Sequence, residues 1–283
     1  MSSTQTALLG ALAGLTIFLG LPLARVRSTS SRTTAALSAL ALGILLFLLW
    51  DVLAHAVEPV EEALDEAVDG TGGWGEFAGL AALLAGGVTA GLMSLVYYDR
   101  WVDRRIRPSK LIGPGAAALA EYEERPWLAT LSPGRRLALL IATAIGLHNF
   151  GEGLAIGQSA AAGEIALALT LIIGFGLHNA TEGFGIVGPM GGETSPPSWG
   201  FLALLGLIGG GPTFLGTLVG QAWVSEAVSV AFFAVAAGSI LFVVQELFAI
   251  ARKSSRPTLT TWMLLAGLAL GFATDFVLEA VGG

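Results

Sequence analysis

Apolar residues in this chain come in long runs, not in the short alternation of half-buried strands or the single apolar stripe of soluble helices. Eight such runs recur, over residues 6–24, 35–57, 75–98, 135–158, 164–188, 200–221, 226–251 and 259–281. A helix needs about 20 predominantly apolar residues to cross the hydrocarbon core of a bilayer. Turn-forming clusters separate the runs at Ser28–Ser31, Gly70–Gly73, Ser132–Gly134, Pro196–Pro197 and Ser254–Pro257. The pattern predicts an all-α integral membrane protein with eight transmembrane helices in a single domain spanning residues 1–283. The junctions at 159–163 and 222–225 are short, so the helices they join are expected to be antiparallel neighbours. The longest connection, about 99–134, reads as a linker with helical character around Ala116–Glu124.

Composition agrees with this reading. Of 283 residues, 54% are hydrophobic and 12% charged, and the mean hydropathy is +0.75. Soluble domains carry about 25% charged residues, so the charges here must be confined to loops. They are also sorted by side. All fourteen Lys and Arg residues fall in one of the two sets of alternating loops: Arg25, Arg27 and Arg32; the cluster from Arg100 to Arg136; and Arg252, Lys253 and Arg256. Basic loops face the cytoplasm, which places both termini outside and the 99–134 loop inside a cell membrane. The run Glu58, Glu61, Glu62, Asp65, Glu66 and Asp69 then faces outward. No basic residue precedes the apolar stretch Ala7–Leu23, so it is read as a retained first helix and not a signal peptide. Seven tryptophans fall mostly near the ends of the runs, as interfacial anchors do. Cysteine is absent, which excludes disulfides, thiolate metal sites and thiol catalysis.

The chemistry is concentrated in two copies of one motif. The fourth run contains His148-Asn149-Phe150-Gly151-Glu152-Gly153, and the fifth contains His178-Asn179-Ala180-Thr181-Glu182-Gly183. In each, His and Glu stand at i and i+4 and share a helix face, with Asn beside the His. At 1.5 Å per residue both motifs lie roughly 15–20 Å from the outer surface, near the bilayer midplane. Two adjacent antiparallel helices then bring two His–Glu faces to one depth. Ionisable groups there cost at least about 2.5–3.5 kcal/mol each, and two facing carboxylates repel. A bound divalent cation offsets both penalties. Imidazole nitrogen with carboxylate and amide oxygen suits Zn²⁺, Fe²⁺, Mn²⁺, Co²⁺ or Cd²⁺. The metal ligands predicted are therefore His148, Asn149, Glu152, His178, Asn179 and Glu182. Gly146, Gly153, Gly174, Gly176 and Gly183 permit close helix approach, and Gly151 weakens the helix beside the site.

Other polar residues within the runs have two readings each. Asp51 and His55, at i and i+4 in the outer half of the second run, either receive metal from outside or form a local pair. Gln245 and Glu246, near the inner end of the seventh, are either an exit relay or interfacial side chains. Asp275 in the eighth is expected at the interface. Gly209-Gly210-Gly211-Pro212-Thr213 in the sixth predicts a break or kink, or else close packing.

At these motifs the chain resembles the ZIP family of zinc/iron-type metal transporters, over its full length. The resemblance implies an eight-helix ZIP-like bundle with a metal centre between helices four and five, in which His148, Glu152, His178 and Glu182 form a primary site. Asn149 and Asn179, sharing the two glutamates, would contribute to a second. It also implies an elevator-like motion of helices one, four, five and six against two, three, seven and eight. The sequence departs from the family where some members have Glu before the Pro of helix six (Gly211 here) and Met in helix two (Leu45 here), and it lacks a His-rich cytoplasmic loop.

The function expected is transport of a divalent metal, Zn²⁺ foremost, into the cytoplasm. The metal is cargo, and no other cofactor is implied. The partners are the metal and the lipid bilayer, not nucleic acid, and a homodimer is admitted. There is no nucleotide-binding G-x-x-x-x-G-K-[ST], so a gradient or cytoplasmic buffering would drive transport. Two alternatives stand beside this. An intramembrane metalloenzyme would need a base between its ligands, as in H-E-x-x-H, and none is present; the chain is read as not an enzyme. A proton- or cation-coupled carrier of another solute would use the His–Glu faces as a relay.

Overall fold

The computed structural model describes residues 2–25, 31–106, 127–163, 165–191, 193, 195–223, 225–253 and 255–282, and all regular structure among them is helical. Eight long helices follow one another: α1 (Ser3–Leu15), α2 (Ser31–Asp69), α3 (Trp74–Ile106), α4 (Pro133–Ala161), α5 (Ile165–Val187), α6 (Trp199–Ala222), α7 (Glu226–Lys253) and α8 (Pro257–Gly282). By length and hydropathy, seven segments are able to cross a membrane; the eighth helix, α5, has 23 residues. The chain is thus a multi-pass helical membrane protein.

Several boundaries differ from the sequence reading, each for a visible reason. The first span is α-helical only to Leu15 and continues as two 3₁₀ helices, Thr16–Leu19 and Leu21–Arg25. Pro22 cannot continue an α-helix, and the Gly20 backbone packs directly on Gly183 and Phe184 of α5. Helix α2 does not stop at 57 but runs 39 residues, about 58 Å. Its acidic extension stays helical because Val60, Ala63 and Ala67 are buried along one side, with Val60 and Ala63 packed in a cluster with Leu80 and Val230. Glu58, Glu61, Glu62, Asp65, Glu66 and Asp69 occupy its exposed face. Helix α3 extends to Ile106, so the inner connection is shorter than 99–134, and it includes a single helical turn at Trp127–Thr130. The helical expectation at Ala116–Glu124 lies outside the described residues.

Helix α6 passes through Gly209–Thr213 unbroken, with Pro212 inside it. Packing explains this. Pro212 leaves the Ile208 carbonyl without its usual helical donor, and Gly146 of α4 lies against that carbonyl. The same face continues as a tight seam. Side chains at Gly153 or Gly157 of α4 would strike the carbonyls of Thr213 and Thr217; side chains at Gly216 or Gly220 of α6 would strike those of Phe150 and Leu154. Small residues are how membrane helices approach closely. Gly70 and Gly163 turn the chain after α2 and α4 with positive φ of 74° and 85°.

Packing sorts the helices. Helix α4 lies most extensively on α6, and α1 touches α6 and α5; α3 lies on α7, and α2 on α8 and α7. Helices α4 and α5 are neighbours, and α2, α7 and α8 abut them from the other side. At the Arg-rich end, Arg135 Nε donates to Glu193 Oε2 at 2.8 Å, the Ser132 hydroxyl donates to the same carboxylate, and Arg25 donates to the Pro197 carbonyl at 2.5 Å while lying over Trp199. This polar brace fixes the starts of α4 and α6 to each other.

The α4–α6 seam gives a direct expectation. Gly153→Val should lower the thermal midpoint of the purified protein, a loss of about 1–3 kcal/mol for overpacking, whereas Gly79→Val on α3, where no atom lies within 4 Å of the added carbon, should leave the melting curve in place.

Candidate metal centre

The two motifs meet. Helices α4 and α5 are antiparallel neighbours with a turn at 162–163 after α4, and their His–Glu faces turn toward each other. His148 Nε2 lies 3.1 Å from Glu152 Oε1 on its own helix and 3.9 Å from Glu182 Oε1 across the gap. His178 Nε2 lies 3.7 Å from Glu182 Oε1. The two imidazoles face edge to plane, centroids 6.0 Å apart. One donor atom from each of His148, Glu152 and His178 falls within 4.8 Å of the other two, a spacing that a single ion could bridge.

All six motif residues are buried: Asn149, Asn179 and Glu182 at 0%, His148 at 1%, Glu152 at 2% and His178 at 7%. Buried polar groups are normally hydrogen-bonded, and here several are not. Among the described residues, eight buried side-chain atoms have no hydrogen-bond partner, and seven belong to these six residues: both ring nitrogens of His148, Asn149 Oδ1, Glu152 Oε2, His178 Nε2, Asn179 Oδ1 and Glu182 Oε1. The eighth, Thr213 Oγ1, is on the adjoining α6. The six residues offer lone pairs in one buried region, and the amide hydrogens are already committed. Asn149 Nδ2 donates to Glu182 Oε2 at 3.1 Å and to the Gly209 carbonyl at 3.0 Å. Asn179 Nδ2 donates to the Ala13 carbonyl at 3.1 Å, at the point where α1 tightens into its 3₁₀ turn. The donor set suits a divalent transition ion: nitrogen and oxygen only, with each asparagine oxygen left facing away from its anchored nitrogen.

The neighbouring elements set these positions. The ring of Phe233 from α7 fills the space that a side chain at Gly151 would take. Gly151 is therefore the seat of an aromatic ring within a continuous helix, not an unwound point. The Phe47 ring, from α2, packs on His178 with centroids 5.8 Å apart. Nothing in the spacing of the sequence points to Phe47, because it sits in an ordinary apolar run.

The residues flanking the site divide. A cavity of about 110 Å³ is lined by Asp51, His55, Asp275, Thr274 and Phe47 and reaches Glu152 and His178. Asp51 and His55 also pair locally, as one of their two readings expects, His55 Nδ1 being 2.9 Å from the Asp51 carbonyl and 3.6 Å from its carboxylate. Asp275, expected at the interface, also lines this cavity. On the Arg-rich side a cavity of about 1090 Å³ is lined by Asp99, Arg136, Thr143, Ile208 and Glu246 among others. Glu246 belongs to it, whereas Gln245, exposed on α7, is not among its lining residues. Leu45 is fully buried in the apolar core, and Gly211 has no neighbour where a side chain would extend.

Comparison with protein-family models gives no match, and comparison with curated proteins gives none either.

The Asn149 bridge carries a stability expectation. Asn149→Ala would leave Glu182 Oε2 and the Gly209 carbonyl buried without this donor. It should destabilise the protein by about 1–3 kcal/mol, read as a lowered thermal midpoint in detergent; an unchanged midpoint would show that the bridge is not formed.

Proposed function

We propose that this protein carries a divalent transition-metal ion, Zn²⁺ foremost, across the membrane through the paired His-Asn-x-x-Glu-Gly site, as a transporter of the ZIP kind that its motifs resemble. The observation that carries this reading is the gathering of seven unpartnered side-chain nitrogen and oxygen atoms on six buried residues of two apolar helices. Two carboxylates buried within reach of one imidazole are costly in lipid, and a cation is the partner that relieves them. A site without thiolates holds such an ion less tightly than one with them, as a carrier requires.

The surroundings are consistent with a route. The small cavity lined by Asp51, His55 and Asp275 opens on the side of the acidic α2 extension and touches Glu152 and His178. The large cavity with Asp99 and Glu246 lies at the opposite, basic end. Its deepest α4 residue, Thr143, is five residues from His148, about 7.5 Å along the helix axis. Under the basic-side-inside rule, the first is the outer access and the second the cytoplasmic vestibule. Helices α1, α4, α5 and α6 would move as one body against α2, α3, α7 and α8, carrying the ion between the two cavities. The relay alternative, in which the His–Glu faces move protons for another solute, predicts flux that chelators do not touch.

In proteoliposomes, Zn²⁺ or Cd²⁺ uptake should saturate with concentration, and His178→Ala or Glu152→Ala should reduce it at least tenfold; uptake equal to that of empty vesicles would sink the proposal. The orientation is checked separately, since the chain has no cysteine of its own. Glu61→Cys should react with an impermeant maleimide on intact cells, and Arg104→Cys only after permeabilisation.

A further inference from the structure

Metal-ligating imidazoles depend on neighbours that fix their orientation, and removing such a neighbour typically costs 10–100-fold in affinity. The surroundings of the two histidines differ. His148 is enclosed at 1% exposure, and its Nε2 is close to both glutamates. His178 is the more open, at 7%, borders the small outer cavity, and has only Glu182 within 4 Å of its Nε2 among the described carboxylates. Its Nε2 has no hydrogen-bond partner, and neither ring nitrogen of His148 has one. The rings beside His178 are those of His148, with centroids 6.0 Å apart, and Phe47, with centroids 5.8 Å apart and planes at 59°.

Phe47 is itself firmly set. It is 1% exposed, and Phe272 of α8 meets it edge-on with centroids 4.9 Å apart. Trp50 stands at 5.9 Å on the third side, and the missing side chain of Gly271 makes room for the ring. Phe47 and Phe272 belong to α2 and α8, helices that carry none of the six motif residues. A rigid aromatic wall built on one set of helices is therefore pressed on the more exposed of the two motif histidines of the other set.

We propose that Phe47 is a positioning residue for the metal centre: its ring holds the His178 imidazole in the orientation that completes the His148–Glu152–His178 group. This deepens, and rests on, the metal-carrier reading. Apolar volume alone does not do this. A leucine fills the space but presents no flat face to the imidazole, whereas tyrosine keeps the face.

The test uses the full-length protein in detergent with Co²⁺ as the metal, followed by its visible absorption, alongside thermal unfolding without metal. Phe47→Leu should weaken Co²⁺ binding about tenfold and change the ligand-field band, and Phe47→Tyr should restore both. Phe272→Leu, which loosens the same aromatic cluster without touching His178, should shift the thermal midpoint but leave the cobalt band and affinity as in the wild type. Should Phe47→Leu not survive purification, Phe47→Met is read in its place. Wild-type affinity and spectrum in the Leu or Met variant overturn the inference, as does an equal loss of affinity in Phe272→Leu. No Co²⁺ binding by the wild type is a different result: it sinks the metal reading itself, and this inference with it.

Discussion

A carboxylate buried at membrane depth must find a hydrogen-bond donor or a cation, because lipid supplies neither. Two such carboxylates, Glu152 and Glu182, are buried here within 4 Å of one imidazole nitrogen. The donors present are few and already placed: the Asn149 amide goes to Glu182 and to a backbone carbonyl, and the Asn179 amide goes to α1. Much of the surrounding architecture follows from keeping this group together and dry. Helix α4 must lie against α5 to bring the glutamates together, and against α6 so that Asn149 reaches the Gly209 carbonyl.

That second requirement explains why the glycines sit where they do. Backbone contact along α4–α6 is possible because Gly153 and Gly157 oppose carbonyls of α6 while Gly216 and Gly220 oppose carbonyls of α4. Gly14 of α1 and Gly210 of α6 oppose each other in the same way. Helices α1, α4 and α6 thus form a tightly meshed set with α5 seated on it. Helices α7 and α2 close the site with larger side chains: Phe233 against Gly151 and Phe47 against His178. Glycine-to-backbone contact holds α1, α4 and α6 to one another, as it does α2 to α8 and α3 to α7, and aromatic rings are among the contacts that the second set makes with the motif helices.

The two cavities flanking the site differ in kind. The one at the acidic end is small and places Asp51, His55 and Asp275 beside Glu152 and His178. The one at the basic end is about ten times larger, mostly apolar in its lining residues, and stops short of the histidines. In this conformation the centre is joined to a small carboxylate-lined pocket on one side and walled from a wide chamber on the other. For a carrier, that asymmetry separates capture from release.

The chain itself determined the eight apolar runs, the sidedness of its charges and the pairing of two His-Asn-x-x-Glu-Gly faces. Each depends on local quantities: run length against bilayer thickness, charge against desolvation, and i, i+4 spacing against helix pitch. It did not determine that α2 continues to Asp69, because the stripe Val60–Ala63–Ala67 stays helical only by burying itself, in part against residues of α3 and α7. Nor did it fix the fate of Gly209–Pro212, which reads as a break until Gly146 is found against the carbonyl that Pro212 frees. Phe47 and Phe233 reach the site from helices distant in sequence, and nothing in their own neighbourhoods marks them. Side chains that act through packing are chosen by whatever lies opposite, and only the folded arrangement of the helices supplies that partner.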